Sequence, residues 1–248
     1  MALTHAPGRF SWVELAAADG EAAKRFYTAL LGWRYADNEV GEDMVYSMCT
    51  LADGRGPIGA LYQSTQGPPH WNSYVTVEQV DAVAARAGEL GGIVIGEPFD
   101  VMTAGRMAVV QDPEGAVVCL WEPRDHPGAA VVNDPGAFCW NELACRDAAV
   151  AQVFYGGLFG WTLDGDPADY AVILEGGHMN GGLRVQGPGE PPPSWLVYFT
   201  TTDVAESTAH ALELGAQTFV APTAMERGTF SVLADPQGAA FGLFRPLG

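Results

Sequence analysis

The feature that most constrains this chain is an internal repeat. A set of aromatic, acidic and glycine residues recurs with unchanged spacing in the second half of the sequence. In the first copy the set is Trp12, Glu14, Leu15, Asp19, Phe26, Tyr27, Gly32 and Trp33, and in the second it is Trp140, Glu142, Leu143, Asp147, Phe154, Tyr155, Gly160 and Trp161. A period this long is typical of a duplicated domain, because the repeat units of solenoids are much shorter.

The repeat continues almost to the end of the chain and sets the domain boundaries. Trp71, Tyr74 and Asp112-Pro113 of the first copy recur as Trp195, Tyr198 and Asp235-Pro236. The stretch 123–136 contains three prolines and is the natural linker. We therefore predict one domain over residues 1–124, a linker over 125–135 and a second domain over 136–248.

Each copy also consists of two similar halves. The first half predicts a strand over Phe10 to Ala16, then a helix over Glu21 to Leu31 that Asp19 caps and Gly32 ends. Short strands follow, and the second half repeats the order with a strand from Trp71 and a helix from Val80. The predicted unit is βαβββ, used four times in an α+β protein. The two Asp-Pro-x-Gly segments are interpreted as hairpin turns without a chemical role.

Composition excludes several classes of partner. Twelve basic residues stand against thirty acidic ones, and the net charge of −18 would repel nucleic acids and anionic membrane surfaces. No apolar stretch approaches the length of a membrane span, and Met1 to Arg9 lacks the apolar core of a signal peptide. A cytoplasmic protein is expected. The four cysteines show no CxxC spacing and are predicted to be buried thiols.

Together these motifs resemble the vicinal oxygen chelate superfamily, which includes glyoxalases, bleomycin-resistance proteins and extradiol dioxygenases. The resemblance covers nearly the whole chain. It is carried by the strand-Asp-helix segments that end in LGW or FGW, by the strands that open at Trp71 and Trp195, and by the two Asp-Pro-x-Gly turns. The two-domain, glyoxalase-like proteins of actinomycete type are the subgroup that it resembles. The resemblance implies tandem glyoxalase-like domains, in each of which two βαβββ modules form a cupped mixed sheet that holds a ligand.

The resemblance also implies where a metal would bind. The family's ligand positions fall on Trp12, Trp71 and Cys119 in the first domain and on Trp140, Trp195 and Gly242 in the second. Because an indole provides no metal donor, we predict that the metal site is lost and that no cofactor is bound. A site built from Glu14, His178 and Cys119 is the metal-dependent alternative. Of the five histidines, His126 is assigned to the linker, and His178 is retained as a candidate ligand contact or a loop residue bonded to backbone.

Aromatic residues are predicted to replace the metal. Strand residues alternate between two faces, so Val13 and Leu15 are expected against the helix, and Trp12, Glu14 and Ala16 on the side that faces the cup, here called the cup face. Trp33 and Trp161 are expected in the core. The candidate ligand-binding residues are Trp12, Trp71, Cys119, Trp121, Trp140, His178, Trp195 and Phe244. The alternative is that these rings fill a collapsed interior.

Glu14 and Glu142 are the candidate catalytic residues. A carboxylate beside apolar rings must be solvated, hydrogen-bonded or protonated, and at a binding site it could accept a ligand hydroxyl or act as a general base. A bond to a neighbouring tyrosine or backbone group is the structural alternative.

Three functions follow from these observations. The first is metal-independent binding of a planar, hydrophobic metabolite or antibiotic-type molecule in cups lined by tryptophan. The second is a metal-independent lyase, isomerase or cyclase of secondary metabolism that uses Glu14 or Glu142 as general base. The third is a metal-dependent glyoxalase or dioxygenase. The expected partner is a small aromatic or hydrophobic metabolite, and the chain is a monomer or a homodimer.

Overall fold

The computed structural model describes residues 5–40 and 44–247. Residues 1–4, part of the segment in which no signal peptide is predicted, lie outside the described residues. Four modules of identical element order follow one another, here called modules 1 to 4. Module 1 comprises β1 (Phe10–Ala17), α1 (Gly20–Leu31), β2 (Arg34–Val40), β3 (Met44–Thr50) and β4 (Pro57–Gln63). Module 2 comprises β5 (His70–Thr76), α2 (Val80–Glu89), β6 (Ile93–Val101), β7 (Gly105–Gln111) and β8 (Val117–Pro123).

The second half of the chain repeats this order. Module 3 comprises β9 (Phe138–Cys145), α3 (Ala148–Phe159), β10 (Thr162–Asp166), β11 (Tyr170–Glu175) and β12 (His178–Val185). Module 4 comprises β13 (Ser194–Thr200), α4 (Val204–Glu213), β14 (Gln217–Met225), β15 (Gly228–Ala234) and β16 (Ala240–Pro246). The predicted α+β fold of tandem βαβββ domains is confirmed. None of these four helices is long and apolar enough to cross a membrane.

The strands form two eight-stranded mixed sheets. Their orders are β2-β3-β4-β1-β5-β8-β7-β6 and β10-β11-β12-β9-β13-β16-β15-β14. Within each module the first strand runs parallel to the last, as β1 does to β4 and β5 to β8, and the remaining pairs are antiparallel. The four strands of one module therefore form one half of a sheet.

Local signals account for the helix ends. The carboxylate of Asp19 accepts a hydrogen bond from the Ala22 N–H at 2.9 Å, and α1 ends at Gly32 with a left-handed φ of +71°. Asp147 caps α3 in the same way, and Gly160 ends it at φ +75°. These caps are worth about 1 kcal/mol each. The predicted cap and end of the first helix are confirmed, and the helix begins at Gly20, one residue before the predicted start.

Contacts divide the chain into two compact units that differ from the two copies of the repeat. Unit 1 combines modules 2 and 3 with the start of β1 as far as Trp12, and unit 2 combines modules 1 and 4 from Val13 onward. Each unit thus takes one module from each copy.

Each unit has an aromatic core of the same design. In unit 2 the ring of Tyr27 stacks on Trp33 at 5.2 Å, and Trp71 and Phe199 approach these rings edge on. In unit 1 the ring of Tyr155 stacks on Trp161 at 5.6 Å. Trp195 and Phe10 contact these two rings, as Trp71 and Phe199 do in unit 2. The prediction that Trp33 and Trp161 lie in the core is confirmed.

Candidate functional site

The residues that define the repeat form a buried hydrogen-bonded chain in each unit. In unit 2 the indole N–H of Trp71 donates to the Tyr27 hydroxyl at 3.2 Å, and that hydroxyl donates to the Asp235 carboxylate at 3.1 Å. In unit 1 the three residues are Trp195, Tyr155 and Asp112, with both distances 3.0 Å. We call each set a Trp-Tyr-Asp chain.

The aspartates of these chains also shape their turns. One carboxylate oxygen of Asp112 accepts three backbone N–H groups, from Glu114, Gly115 and Ala116, at 2.8–2.9 Å. Burial raises the pKa of Asp112 and of Asp235, although the hydrogen bonds from amides and tyrosine lower it. Burial also raises the pKa of Tyr27 and Tyr155 well above 10.0. The turn interpretation holds, and the aspartates have the additional role of holding a helix tyrosine.

The expectation that Trp71 and Trp195 face the cup is wrong. In β5, Tyr74 lies beside Cys119 and Thr76 beside Trp121, so alternation places Asn72 on the cup face and Trp71 on the opposite face. The indole of Trp71 lies instead in the core of unit 2, and that of Trp195 lies in the core of unit 1. The error is one residue in strand phase, which exchanges the two faces of a strand. His70, at the start of the same strand, has the phase of Asn72 and therefore belongs to the cup face.

Unit 1 carries an aromatic cluster on the cup face of module 2. Trp121 lies 6.4 Å from Tyr74 between ring centroids, and Trp12 and Trp121 both contact the ring of His126, at 4.4 and 5.8 Å. Cys119 is adjacent to Tyr74 across the strands. We call Trp12, Tyr74, Trp121 and His126 the indole cluster. Trp12 and Trp121 are only 3% and 6% exposed.

The same sheet face continues as an apolar surface toward its edge. Strand register places Met107 opposite Trp121 and Val109 opposite Cys119, and Phe99 on edge strand β6 opposite Met107. Phe99 is 49% exposed. Apolar side chains therefore extend from the buried indoles to a partly exposed phenylalanine.

Unit 2 carries a carboxylate and two phenols on the cup face of module 1. The hydroxyl of Tyr46 donates to Glu14 at 2.9 Å, and the ring of Tyr62 lies 6.4 Å from Tyr46 in a near-parallel orientation. Glu14 is 8% exposed. The carboxylate of Glu14 thus has the phenol of Tyr46 as its hydrogen-bond partner. The two groups could act together as a base and an acid.

Module 3, in unit 1, surrounds its equivalent glutamate differently. Arg184 lies beside Glu142 at 3.4 Å and beside Glu190 at 2.7 Å, and it stands where module 1 has Tyr62. The indole N–H of Trp140 donates to the hydroxyl of Tyr170 at 2.9 Å. The two glutamates, equivalent by sequence, therefore differ in electrostatic environment, because an arginine offsets the charge of Glu142.

Module 4, in unit 2, has rings lying directly on the sheet. Phe244 is opposite Phe230, whose ring lies 6.4 Å from that of Tyr198. A Cβ atom added to Gly242 would overlap the ring of Tyr198. The family's carboxylate position in this domain is therefore filled by a neighbouring aromatic ring.

The remaining candidate lies apart from these groups. His178 is exposed at the first residue of β12, opposite Glu175 in a tight hairpin. Within residues 5–40 and 44–247 it belongs to no group of three or more His, Cys, Asp or Glu side chains that could hold a metal.

Comparisons with known proteins agree with the fold. Residues 9–120 match the profile of the Glyoxalase/Bleomycin resistance protein/Dioxygenase superfamily, and residues 138–244 match that of a glyoxalase-like domain. The chain belongs to this superfamily. A Mycobacterium bovis protein named "Putative glyoxylase CFP32" is 38% identical over 250 residues, which cover 96% of this chain and 95% of that protein. The anthracycline biosynthesis protein DauV of Streptomyces sp. (strain C5) is 32% identical over 257 residues, covering 96% and 93%.

Solved structures share the fold at low identity. The Mn(II)-bound glyoxalase from Novosphingobium aromaticivorans superposes with a TM-score of 0.69 at 19% identity, covering 99% of this chain and 84% of that one. The 2,3-dioxygenase LapB from Pseudomonas sp. KL28 gives 0.65 at 14% identity, covering 98% and 93%. The predicted superfamily and its actinomycete subgroup are confirmed.

The residues at the superfamily's metal positions do not fit a metal ion. With the corrected strand phase these positions hold Trp12, Asn72 and Cys119 in the first domain, and Gly242 of the second lies under a tyrosine ring. Residues 5–40 and 44–247 contain no group of three or more His, Cys, Asp or Glu side chains that could hold a metal. A transition metal needs three or four such donors around one point.

Two functional candidates escaped the sequence analysis. Tyr46 becomes the partner of Glu14 only through strand register, and His126 was assigned to a linker. A signal existed for Tyr46, since it alternates in phase with Met44 and Met48 on a predicted strand. None existed for His126, because its contacts with Trp12 and Trp121 depend on the path of a loop.

Proposed function

We propose that this chain binds a flat aromatic small molecule, without a metal ion, against the indole cluster of unit 1. The observation that carries the proposal is the placement of Trp12, Tyr74 and Trp121 on one sheet face, joined there by the ring of His126. By the superfamily resemblance, Trp12 occupies the position of one metal ligand, so an indole ring stands where metal-using members place a donor. Aromatic pairs contribute about 0.5–1.5 kcal/mol beyond the burial of their area.

The relatives support an aromatic ligand. One is named an anthracycline biosynthesis protein, and anthracyclines are flat, fused-ring molecules. A ligand of this shape is expected to stack on indole faces and to bury its apolar edge against Met107, Val109 and Phe99. These side chains continue the same face outward.

The burial of the cluster predicts how binding proceeds. Because Trp12 and Trp121 are almost inaccessible, a ligand must displace covering side chains before it reaches them. Association is then expected to be well below the diffusion limit, because binding requires a conformational change.

Quenching of tryptophan emission by 1,8-dihydroxyanthraquinone, a flat three-ring probe, tests the proposal. We expect saturable quenching in the wild type, unchanged after exhaustive dialysis against EDTA. Loss of one stacked ring should weaken binding by about twofold to tenfold, measured by calorimetry on Trp12→Leu and Trp121→Leu. Phe219→Leu is the control, because Phe219 is 61% exposed on the edge strand β14. Affinity equal in all variants, or binding that requires added Mn²⁺, would overturn the proposal.

A second function, proton transfer by an enzyme, is favoured by the 2.9 Å hydrogen bond from Tyr46 to Glu14. A carboxylate beside a phenol can remove a proton next to a carbonyl while the phenol stabilises the resulting charge. Glu14 is the better candidate of the two glutamates, because Arg184 offsets the charge of Glu142.

Deuterium exchange at C10 of anthrone in D₂O tests this second function by mass spectrometry. Glu14 would take the C10 proton, which is acidic through conjugation with the C9 carbonyl, to give the anthrolate anion, and a deuteron from solvent would return to C10. We expect acceleration by the wild type and by Glu142→Gln but not by Glu14→Gln. An exchange rate that the wild type leaves at the buffer value would eliminate this candidate.

A further inference from the structure

His126 carries an unsatisfied polar atom at the indole cluster. Its Nε2 atom is buried and has no hydrogen-bond partner among residues 5–40 and 44–247. The ring is held edge-on against Trp12 at 4.4 Å and lies 5.8 Å from Trp121. A buried polar atom without a partner costs about 1–3 kcal/mol, so its retention between two indoles calls for a partner that the chain itself does not supply.

The backbone holds the imidazole in place. The indole N–H of Trp121 donates to the His126 carbonyl at 3.0 Å, which ties the loop to the cup face of β8. The adjacent turn is tight, because a Cβ atom at Gly128 would lie 2.7 Å from the Ser11 carbonyl and 2.9 Å from the ring of His5. The loop that carries the ring is therefore held at Trp121 on one side and lies close against Ser11 and His5 on the other.

The protonation state favours a neutral partner. Burial, with a smaller effect from His5, lowers the pKa of His126 from 6.5, so the ring is neutral at pH 7. A neutral imidazole has one donor and one acceptor nitrogen, and the tautomer decides which role Nε2 takes. Nε2 can thus accept from a hydroxyl or donate to a carbonyl.

We infer that His126 is a ligand-contacting residue whose Nε2 atom selects flat aromatic molecules that carry a hydroxyl or carbonyl group at the ring edge. The inference rests on the proposed binding function and adds the polar part of the specificity to the apolar surface. Hydrocarbon rings would stack on the same indoles without satisfying Nε2. Hydroxyanthraquinones and related phenols or quinones would do both.

Two probes of the same three-ring outline separate these contributions. We expect the wild type to bind 1,8-dihydroxyanthraquinone, detected by tryptophan quenching, and anthracene, followed by its own fluorescence. His126→Phe keeps an aromatic ring and should weaken the quinone about tenfold, the effect of one lost buried hydrogen bond, while anthracene binding stays within about twofold. His126→Gln, which can return a donor or acceptor at similar reach, should recover part of the quinone affinity.

Nitrogen NMR provides a readout independent of affinity. The ¹⁵N resonance of His126 Nε2 should shift when the quinone binds and should not shift with anthracene. The ring of His70, already paired with the Pro68 carbonyl at 2.9 Å, is the internal control.

The outcomes distinguish the two levels of the proposal. Equal weakening of both probes by His126→Phe, or an unshifted His126 Nε2 in the bound state, would overturn the inference and leave metal-free aromatic binding intact. A wild type that binds neither probe would overturn the proposed function and this inference with it.

Discussion

Removing the hydroxyl of Tyr27 should destabilise the protein far more than the loss of one oxygen atom suggests. That hydroxyl is the middle member of the Trp-Tyr-Asp chain in unit 2, where it accepts from Trp71 and donates to Asp235. All three residues are buried, and Tyr27 is entirely inaccessible. Tyr27→Phe therefore leaves the Trp71 indole N–H without its acceptor and removes one of the hydrogen bonds to Asp235.

The magnitude follows from these two groups. The orphaned indole N–H costs about 1–3 kcal/mol, and the lost bond to a carboxylate contributes about 1.5–3 kcal/mol. Allowing for local relaxation, we expect a loss of about 3 kcal/mol in the free energy of unfolding. For a chain of this size that corresponds to a fall of about 6–12 °C in Tm.

Guanidinium denaturation and differential scanning calorimetry of Tyr27→Phe measure this loss. Tyr155→Phe is the matched variant, because Tyr155 makes the same two bonds in unit 1, and it should cost a similar amount. Tyr35→Phe is the control, since the Tyr35 hydroxyl makes a long bond of 3.4 Å to the Lys24 carbonyl and a contact with the Thr28 side chain but no bond to a carboxylate, and it should cost about 1 kcal/mol. If Tyr27→Phe were as mild as Tyr35→Phe, the Trp-Tyr-Asp chain would not be the stabilising element described above.

Three further predictions concern charge, packing and metal. The pKa of Asp235 is raised in the folded protein, so the protonated carboxyl stabilises the fold fully below about pH 3.8, and this contribution is lost as the pH rises through the raised pKa. The loss of stability in Asp235→Asn should therefore be largest at low pH and should shrink toward neutrality. A loss that grows with pH would contradict this. Gly242→Ala should displace the ring of Tyr198 and lower the free energy of unfolding by about 1–3 kcal/mol. Gly88→Ala lies on α2 with open space around it and should raise that free energy by about 0.5–1 kcal/mol. Chemical denaturation measures both changes. Dialysis against EDTA should leave the Tm of the wild type unchanged, and a fall that Mn²⁺ reverses would refute the proposed metal independence.

Sequence reasoning succeeded where the controlling interactions are local. The caps at Asp19 and Asp147 and the left-handed glycines at positions 32 and 160 act within a few residues of the chain. The module order follows from the repeat, and the burial of Trp33 follows from its place after an amphipathic helix.

It failed where a single residue of strand phase decides the outcome. Trp71 lies in a strand that carries polar side chains on both faces, Asn72 and Thr76 on one and Ser73 on the other, so residue type did not mark which face is buried. Only the pairing of Tyr74 with Cys119 shows that Asn72 and not Trp71 shares the cup face. The repeat itself misled here, because the indoles are repeated for their bonds to Tyr27 and Tyr155 and not for contact with a ligand.

The sequence by itself determined the superfamily, the four βαβββ modules and the ends of the first helix, because repeats, caps and periodicity operate at short range. Only the tertiary structure decided the partners of the side chains. The bond between Tyr27 and Asp235 joins residues 208 positions apart, and the pairing of Arg184 with Glu142 and the contact of His126 with Trp12 likewise depend on strand register and loop path. Long-range contacts of this kind have no local pattern, since they are specified by the packing of whole modules.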